Sequence, residues 1–302
     1  MQTKSFVIRS HFDDLSLHGV IFTPDTPPKG IVQISHGMCE YKERYEGFMR
    51  FFAEHGYIVA CYDQRGHGDS VLSENDRGFF YERKAKAVVE DAAQITRYLR
   101  DEYPNLPVIL FGHSMGSMIV RCYLHEHDDL IDKLIVCGSP SNNPLAGMGI
   151  FVAKFLGFFR GQRHRSKMLA YLATGKGNMN FPGESYGCWL SQNRESIEEF
   201  YNNPKGRFTF TCNGFENLFR LMKNTYDKKR YKLKNPDLPV FFVSGSDDAV
   251  LISEEKFHQS VDKLKKAGYK NVSFKIYKGL RHEIFHDIGK DEVMQDLLNF
   301  IE

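Results

Sequence analysis

The sequence predicts an α/β protein: a mostly parallel sheet covered by helices on both faces, interrupted once by a helical insertion. Three observations predict it. Short β-rich runs alternate with helical stretches through residues 1–139, the rhythm stops over 140–234, and it resumes over 235–302. The chain has 302 residues, 42% hydrophobic and 26% charged, enough for one large domain with an insertion and far from the composition of a disordered chain.

The elements follow in order. SFVIRS and LHGVIF have no helix between them, so they open the sheet as an antiparallel hairpin. GIVQIS and YIVACYD follow, separated by a helix over 44–55 whose Tyr45, Phe48, Met49 and Phe52 share one face. A second helix spans Arg83 to Asp101, with Val88, Ala92, Ile95 and Leu99 as its buried stripe, and leads into PVILFG. A third starts after Ser114 and carries Met118, Ile119, Cys122 and Tyr123; KLIVCGS comes next. A structureless loop cannot fill 140–234 inside a compact domain, so a small helical cap is expected there. Then LPVFFVSGSDD is a strand, Ser253 to Ala267 a helix, NVSFKIYKG a strand and Asp291 to Phe300 a last helix.

Composition also excludes functions. Lys and Arg total 40 against 38 Asp and Glu, a balance that gives no basic excess for nucleic acid. The N-terminal MQTKSFVIRSHFDD turns charged before any long apolar run, so no secretory signal is expected. Leu145 to Ala153 is half a membrane span at best. Six cysteines without C-x-x-C spacing read as buried thiols in a reducing compartment, the cytoplasm, with peripheral membrane contact left open. Nothing in the sequence sets the oligomeric state.

The chemical signal is Gly112-His113-Ser114-Met115-Gly116, placed between a strand and a helix. Small residues there permit a sharp turn that lifts the serine hydroxyl into the open. A serine needs a base, and the base needs an orienting carboxylate. Two later strands end in loops that supply them: Gly245-Ser246-Asp247-Asp248 and Gly279-Leu280-Arg281-His282. Chemistry alone leaves Asp247 and Asp248 both open. The oxyanion donors expected are the backbone N–H groups of Met115, at the helix start, and of Met38, in the turn after Ile31 to Ser35.

With SHGMCEYKERY, YIVACYDQRGHGDS, LFGHSMGS, SGSDDAV and GLRHE in place from about residue 31 to 283, the chain resembles the α/β-hydrolase superfamily. Within it the resemblance is to the monoacylglycerol lipase and lysophospholipase group, often placed with the serine aminopeptidases. The resemblance implies the α/β-hydrolase fold with an eight-stranded core and a cap after the sixth strand. It also implies Asp248 as the acid, Met38 and Met115 as oxyanion donors, and Glu40 and Arg44 beside the polar end of the pocket. Asp69 departs from the group, many of whose members carry a basic residue there.

HEIFH, His282 to His286, matches the zincin H-E-x-x-H pattern but follows a strand and Gly279, so a turn is expected rather than a metal-binding helix. His36, His67 and His113 are expected to hydrogen-bond loops around the serine. No cofactor and no metal is expected. The expected activity is hydrolysis of carboxylic esters, with monoacyl lipids as substrates. A small-ester carboxylesterase, an aminopeptidase or amidase with the same triad, and a non-catalytic binding protein are the alternatives. Phe151, Phe155, Phe158 and Phe159 recur near helical spacing. That face is expected either to pack on the core, or to line an acyl tunnel through Phe155 and Phe158 or touch lipid at its mouth. Lys154, Arg160, Arg163 and Arg165 would then face anionic headgroups.

Overall fold

The computed structural model describes residues 1–81, 84–174 and 177–302. Eight strands form one sheet: β1 (Gln2–Arg9), β2 (Ser16–Thr23), β3 (Gly30–Ser35), β4 (Tyr57–Tyr62), β5 (Val108–His113), β6 (Lys133–Cys137), β7 (Val240–Gly245) and β8 (Val272–Tyr277). Their spatial order is β1-β2-β4-β3-β5-β6-β7-β8. β1 and β2 form the expected antiparallel hairpin, β2 runs antiparallel to β4, and the other pairs are parallel. The central strands β3, β4 and β5 are buried at every residue, which is why they are mostly apolar on both faces and do not alternate with exposed polar residues.

Helices cover both faces. α1 (Glu46–Glu54) and α9 (Lys290–Ile301) bury Phe48, Phe52, Val293 and Leu297 on one side. α2 (Lys86–Glu102), α3 (Met115–His127) and α8 (Glu254–Ala267) bury Val88, Ile95, Ile119 and Leu264 on the other. A short 3-10 turn, Lys42–Tyr45, precedes α1 where one continuous helix was expected. Arg83, the expected start of α2, lies outside the described residues.

From β3 the chain moves to β4 on one side and then crosses back to β5 on the other. This reversal leaves the carboxyl ends of β3 and β5 side by side, where loops diverge and a crevice forms. Residues 36–40 and the turn at Ser114 therefore meet for a topological reason.

Between β6 and β7 run α4 (Ala146–Arg160), α5 (Lys167–Thr174), α6 (Arg194–Asn202) and α7 (Cys212–Thr225). α7 lies on α3, and its Phe215, Leu218 and Phe219 join the same apolar cluster as the sheet face beneath. α4 decides between the alternatives left open for its aromatic face. Its buried residues are Ala146, Gly149, Ala153 and Gly157, not the phenylalanines. This small-residue stripe lets α4 approach α7 closely; a Cβ at Gly149 would stand 2.7 Å from the Phe219 ring. The aromatic face turns outward, with Phe151 64%, Phe155 53%, Phe158 81% and Phe159 67% exposed. Phe155 and Phe158 thus line no acyl tunnel here. Nor are Arg163 and Arg165 free for headgroups. Arg163 pairs with Asp76 at 2.8 Å and lies over Phe79, while Arg165 donates to the carbonyls of Asn75, Arg77 and Thr209.

Candidate active site

Ser114 sits on the turn between β5 and α3 with φ 52° and ψ −114°. That left-handed backbone costs a non-glycine residue about 1–3 kcal/mol and persists because the surroundings enforce it. The flanking glycines are part of that enforcement. A Cβ at Gly116 would overlap the Ser35 carbonyl oxygen, and one at Gly112 would lie 2.6 Å from the Gly116 carbonyl oxygen. The Ser114 amide donates to the Cys137 carbonyl at 3.0 Å, and the side chain stays partly exposed.

The remaining candidates converge on it. His282 Nε2 lies 2.8 Å from Ser114 Oγ. His282 Nδ1 lies 2.9 Å from both carboxylate oxygens of Asp248. Asp248 is buried and also accepts from Ser244 Oγ and the Val250 amide. Asp247, its neighbour, is exposed and accepts from Ser246 Oγ. The alternative between the two aspartates is thus decided by which one the turn after β7 points inward.

Burial alone would pull the His282 imidazole down. The Asp248 carboxylate, helped by Glu283 and Glu40, outweighs it and holds the pKa above the usual 6.5. Burial pushes Asp248 up, but His282 and the hydrogen bonds from Val250 and Ser244 bring it below the ordinary value of 3.8. The pair is therefore arranged to stabilise an imidazolium beside a carboxylate.

Met115 is the first residue of α3, where amides lack intrahelical partners and the helix dipole favours negative charge. Met38 is partly exposed in the turn after β3. Glu40 shapes that turn: its carboxylate accepts from the Gly37 amide at 2.5 Å and from Tyr45 Oη at 2.7 Å, and it lies 3.1 Å from His113 Nδ1.

Glu40 and Arg44 require a correction. The Arg44 guanidinium reaches Glu40 at 2.7 Å and both oxygens of Glu283 at 2.7 Å, and it lies 4.6 Å from the Phe200 ring centroid of α6. Side-chain exposure is 1% for Arg44, 3% for Glu40 and 2% for Glu283, so neither Glu40 nor Arg44 is open to a headgroup in this state. The two carboxylates are held low, against the upward push of burial, by His113 and Arg44 for Glu40 and by Arg44 for Glu283. They form a buried strut behind the serine and histidine.

HEIFH is a turn, and its members have other tasks: Glu283 clamps Arg44, and His286 Nδ1 lies 3.2 Å from Ser196 Oγ of α6. His36 and His67 hold loops, through Gly37, Gln64 and Arg65. No group of three or more metal-ligating side chains is arranged to hold an ion among the described residues. Asp69 has a structural reason for its acidity. It accepts from Lys42 and, at 2.8 Å, from Lys205 just after α6, which also reaches Glu43 at 2.9 Å. Trp189, the chain's one tryptophan, escaped the sequence reading although its indole lies 5.2 Å from the His282 ring. Its rarity was the only signal.

Comparison with known proteins agrees with this geometry. A relative from Mycolicibacterium smegmatis, a monoacylglycerol lipase, is 26% identical over 93% of this chain and 91% of its own length. The Homo sapiens monoglyceride lipase is 24% identical over 88% of this chain and 79% of its own. Among solved structures, a thermostable carboxyl esterase from Bacillus coagulans in complex with glycerol superposes with a TM-score of 0.91 at 26% identity, covering 100% of this chain and 98% of that one. The family model described as serine aminopeptidase, S33 matches residues 26–289. With that match over most of its length, and with the α/β-hydrolase fold around Ser114, the chain belongs to the serine aminopeptidase S33 family.

Proposed function

We propose that this chain is a carboxylic ester hydrolase that cleaves monoacyl lipids, monoacylglycerols or lysophospholipids, through an acyl-enzyme on Ser114. The observation that carries the reading is the relay from Ser114 Oγ to His282 Nε2 at 2.8 Å and from His282 Nδ1 to Asp248 at 2.9 Å. Ser114 attacks the ester carbonyl as His282 takes its proton. Asp248 keeps His282 in the tautomer with a proton on Nδ1 and offsets the imidazolium charge. The oxyanion is met by the N–H groups of Met38 and Met115. His282 protonates the leaving alcohol, then activates the water that releases the acid and restores the serine. The lipase relatives and the glycerol in the esterase structure support a glyceride-type leaving group.

An aminopeptidase would need a free carboxylate to hold the substrate's α-amine. Glu40 and Glu283, the carboxylates linked to the relay, are both engaged by Arg44, which favours the ester. The test is kcat/KM for monoacylglycerols, lysophospholipids, short p-nitrophenyl esters and aminoacyl amides below their aggregation limits. Each buried methylene contributes about 0.8 kcal/mol, so a rise from two carbons to eight or more is expected. An optimum at two to four carbons would make the protein a small-ester carboxylesterase, and preference for aminoacyl amides would make it an aminopeptidase.

The working partner we assign to the outer face of α4 is the membrane surface. Phe151, Phe155, Phe158 and Phe159 are exposed together, beside exposed Lys154 and Arg160. An apolar face flanked by cations suits the boundary of an anionic bilayer. No helix among the described residues is long and apolar enough to cross one. The six cysteines are all free and buried, in keeping with action in the reducing cytoplasm at a membrane edge. Residues 140–234 act as the cap over a core of 1–139 and 235–302. Replacing Phe151 and Phe159 by Ser should abolish sedimentation with phosphatidylglycerol vesicles while leaving hydrolysis of a short soluble ester within about threefold. Unchanged sedimentation would remove the membrane from this account.

A further inference from the structure

The loop that carries His282 is held from the cap. The His282 amide donates to the Trp189 carbonyl at 3.4 Å, and the Glu283 amide to the Leu190 carbonyl at 2.7 Å. Arg281 makes a two-pronged pair with Glu184 at 2.8 Å, donates to the Cys188 carbonyl at 2.8 Å and lies 4.1 Å from the Phe181 ring centroid. Asp287 accepts from the Arg281 amide at 2.8 Å on one oxygen, and from Ser191 Oγ and the Gln192 amide on the other. Gln192 Nε2 reaches back to the Gly279 carbonyl at 2.7 Å. Residues 181–193 are thus a strap laced along the whole histidine loop.

The strap also bounds the imidazole. The Trp189 indole lies over one side of the ring at 5.2 Å and 31°, while the His113 ring stands at 4.8 Å and 45°. His113 Nε2 further lies 3.3 Å from the His282 carbonyl oxygen, and His113 Nδ1 meets Glu40. On the core side, then, the ring is steadied by the Glu40 strut. On the cap side Trp189 is the flat group beside it. Asp248 and Ser114 hold the two ring nitrogens, and hydrogen bonds at those two atoms leave the tilt of the ring plane about the line between them to be restrained by neighbouring faces.

We propose that Trp189 is a positioning residue for His282, which makes the cap strap part of the catalytic arrangement and not only a cover over the substrate. The inference rests on the reading of Ser114 and His282 as nucleophile and base. It has a mechanical consequence: the cap cannot swing away at residues 181–193 without loosening the base. Opening for substrate must occur elsewhere along the cap.

The test compares Trp189→Phe with Trp189→Leu, which both fill the space with apolar volume but differ in offering a flat face. Displacement of a reacting group by about 1 Å can cost 10²-fold in rate. For a short soluble ester, Trp189→Leu should lower kcat by about 10- to 100-fold with KM nearly unchanged, and Trp189→Phe should stay within about threefold of wild type. The rate of labelling by a fluorophosphonate, which needs Ser114 and His282 but little substrate pocket, should fall in the same order. Full kcat in both variants would overturn the proposal. Equal losses in both, tracking a drop in melting temperature, would overturn it too by reducing Trp189 to support of the cap. A raised KM with kcat intact would make Trp189 a substrate contact instead. Wild-type protein that labels at a residue other than Ser114 would refute the underlying assignment, a result separable from all three.

Discussion

Ser114→Ala should give a folded protein whose esterase activity falls to what the oxyanion donors and substrate binding supply alone, roughly 10³–10⁴ over the uncatalysed reaction. The alanine keeps the backbone volume at a position with φ 52°, so the strain of the turn is unchanged and melting temperature should move little. A fluorophosphonate should label wild type once and this variant not at all. Because His282 loses only its 2.8 Å partner, its bond to Asp248 should survive, and the loss is of the nucleophile alone. Esterase activity retained by a folded Ser114→Ala protein would end the assignment.

Asp248→Asn should lower turnover by about 10⁴-fold, because the amide would favour the wrong imidazole tautomer. Asp247→Asn should cost far less, since that side chain is exposed and accepts its hydrogen bond from neighbouring Ser246. The pH profile of kcat/KM gives an independent reading. Wild-type activity requires neutral His282, whose pKa is held above 6.5 chiefly by Asp248 against the pull of burial. Activity therefore falls as pH drops through that raised value. Removing the carboxylate leaves burial unopposed by its largest counterweight, so the acid limb of the residual activity should move to lower pH. The reverse ranking of the two Asn variants, or an acid limb that stays fixed, would refute Asp248 as the orienting group.

The elements of the core were legible because each is written by a local rule. β3, β4 and β5 are apolar at nearly every position, and Val88, Ala92, Ile95 and Leu99 mark the inward side of α2. The serine was legible for the same kind of reason. The turn at Gly112 to Gly116 admits no Cβ at its glycines, so the constraint is visible in the residues themselves. Asp248 and His282 were legible as candidates because each follows a strand, the place where a parallel sheet delivers side chains to its crevice.

Four features were decided only by tertiary contacts. The inward side of α4 was left open because hydrophobic periodicity finds a face without saying which side is the core. Close approach to Phe219 in α7 selected the glycines and alanines, and the phenylalanines were left outside. The resemblance put Glu40 and Arg44 beside the polar end of the pocket, and their partner Glu283 is 239 residues from Arg44 in sequence; only the fold reveals that these charges already engage one another. Asp69 is explained by Lys205, 136 residues away in sequence, and Trp189 by its seat beside His282. The sequence by itself determined the sheet, the turn at Ser114 and the order of the catalytic candidates, since these depend on local sterics and strand ends. The tertiary structure alone decided which charges are spent on one another, which apolar face meets solvent, and what holds the histidine still, because each depends on residues that are distant in the chain.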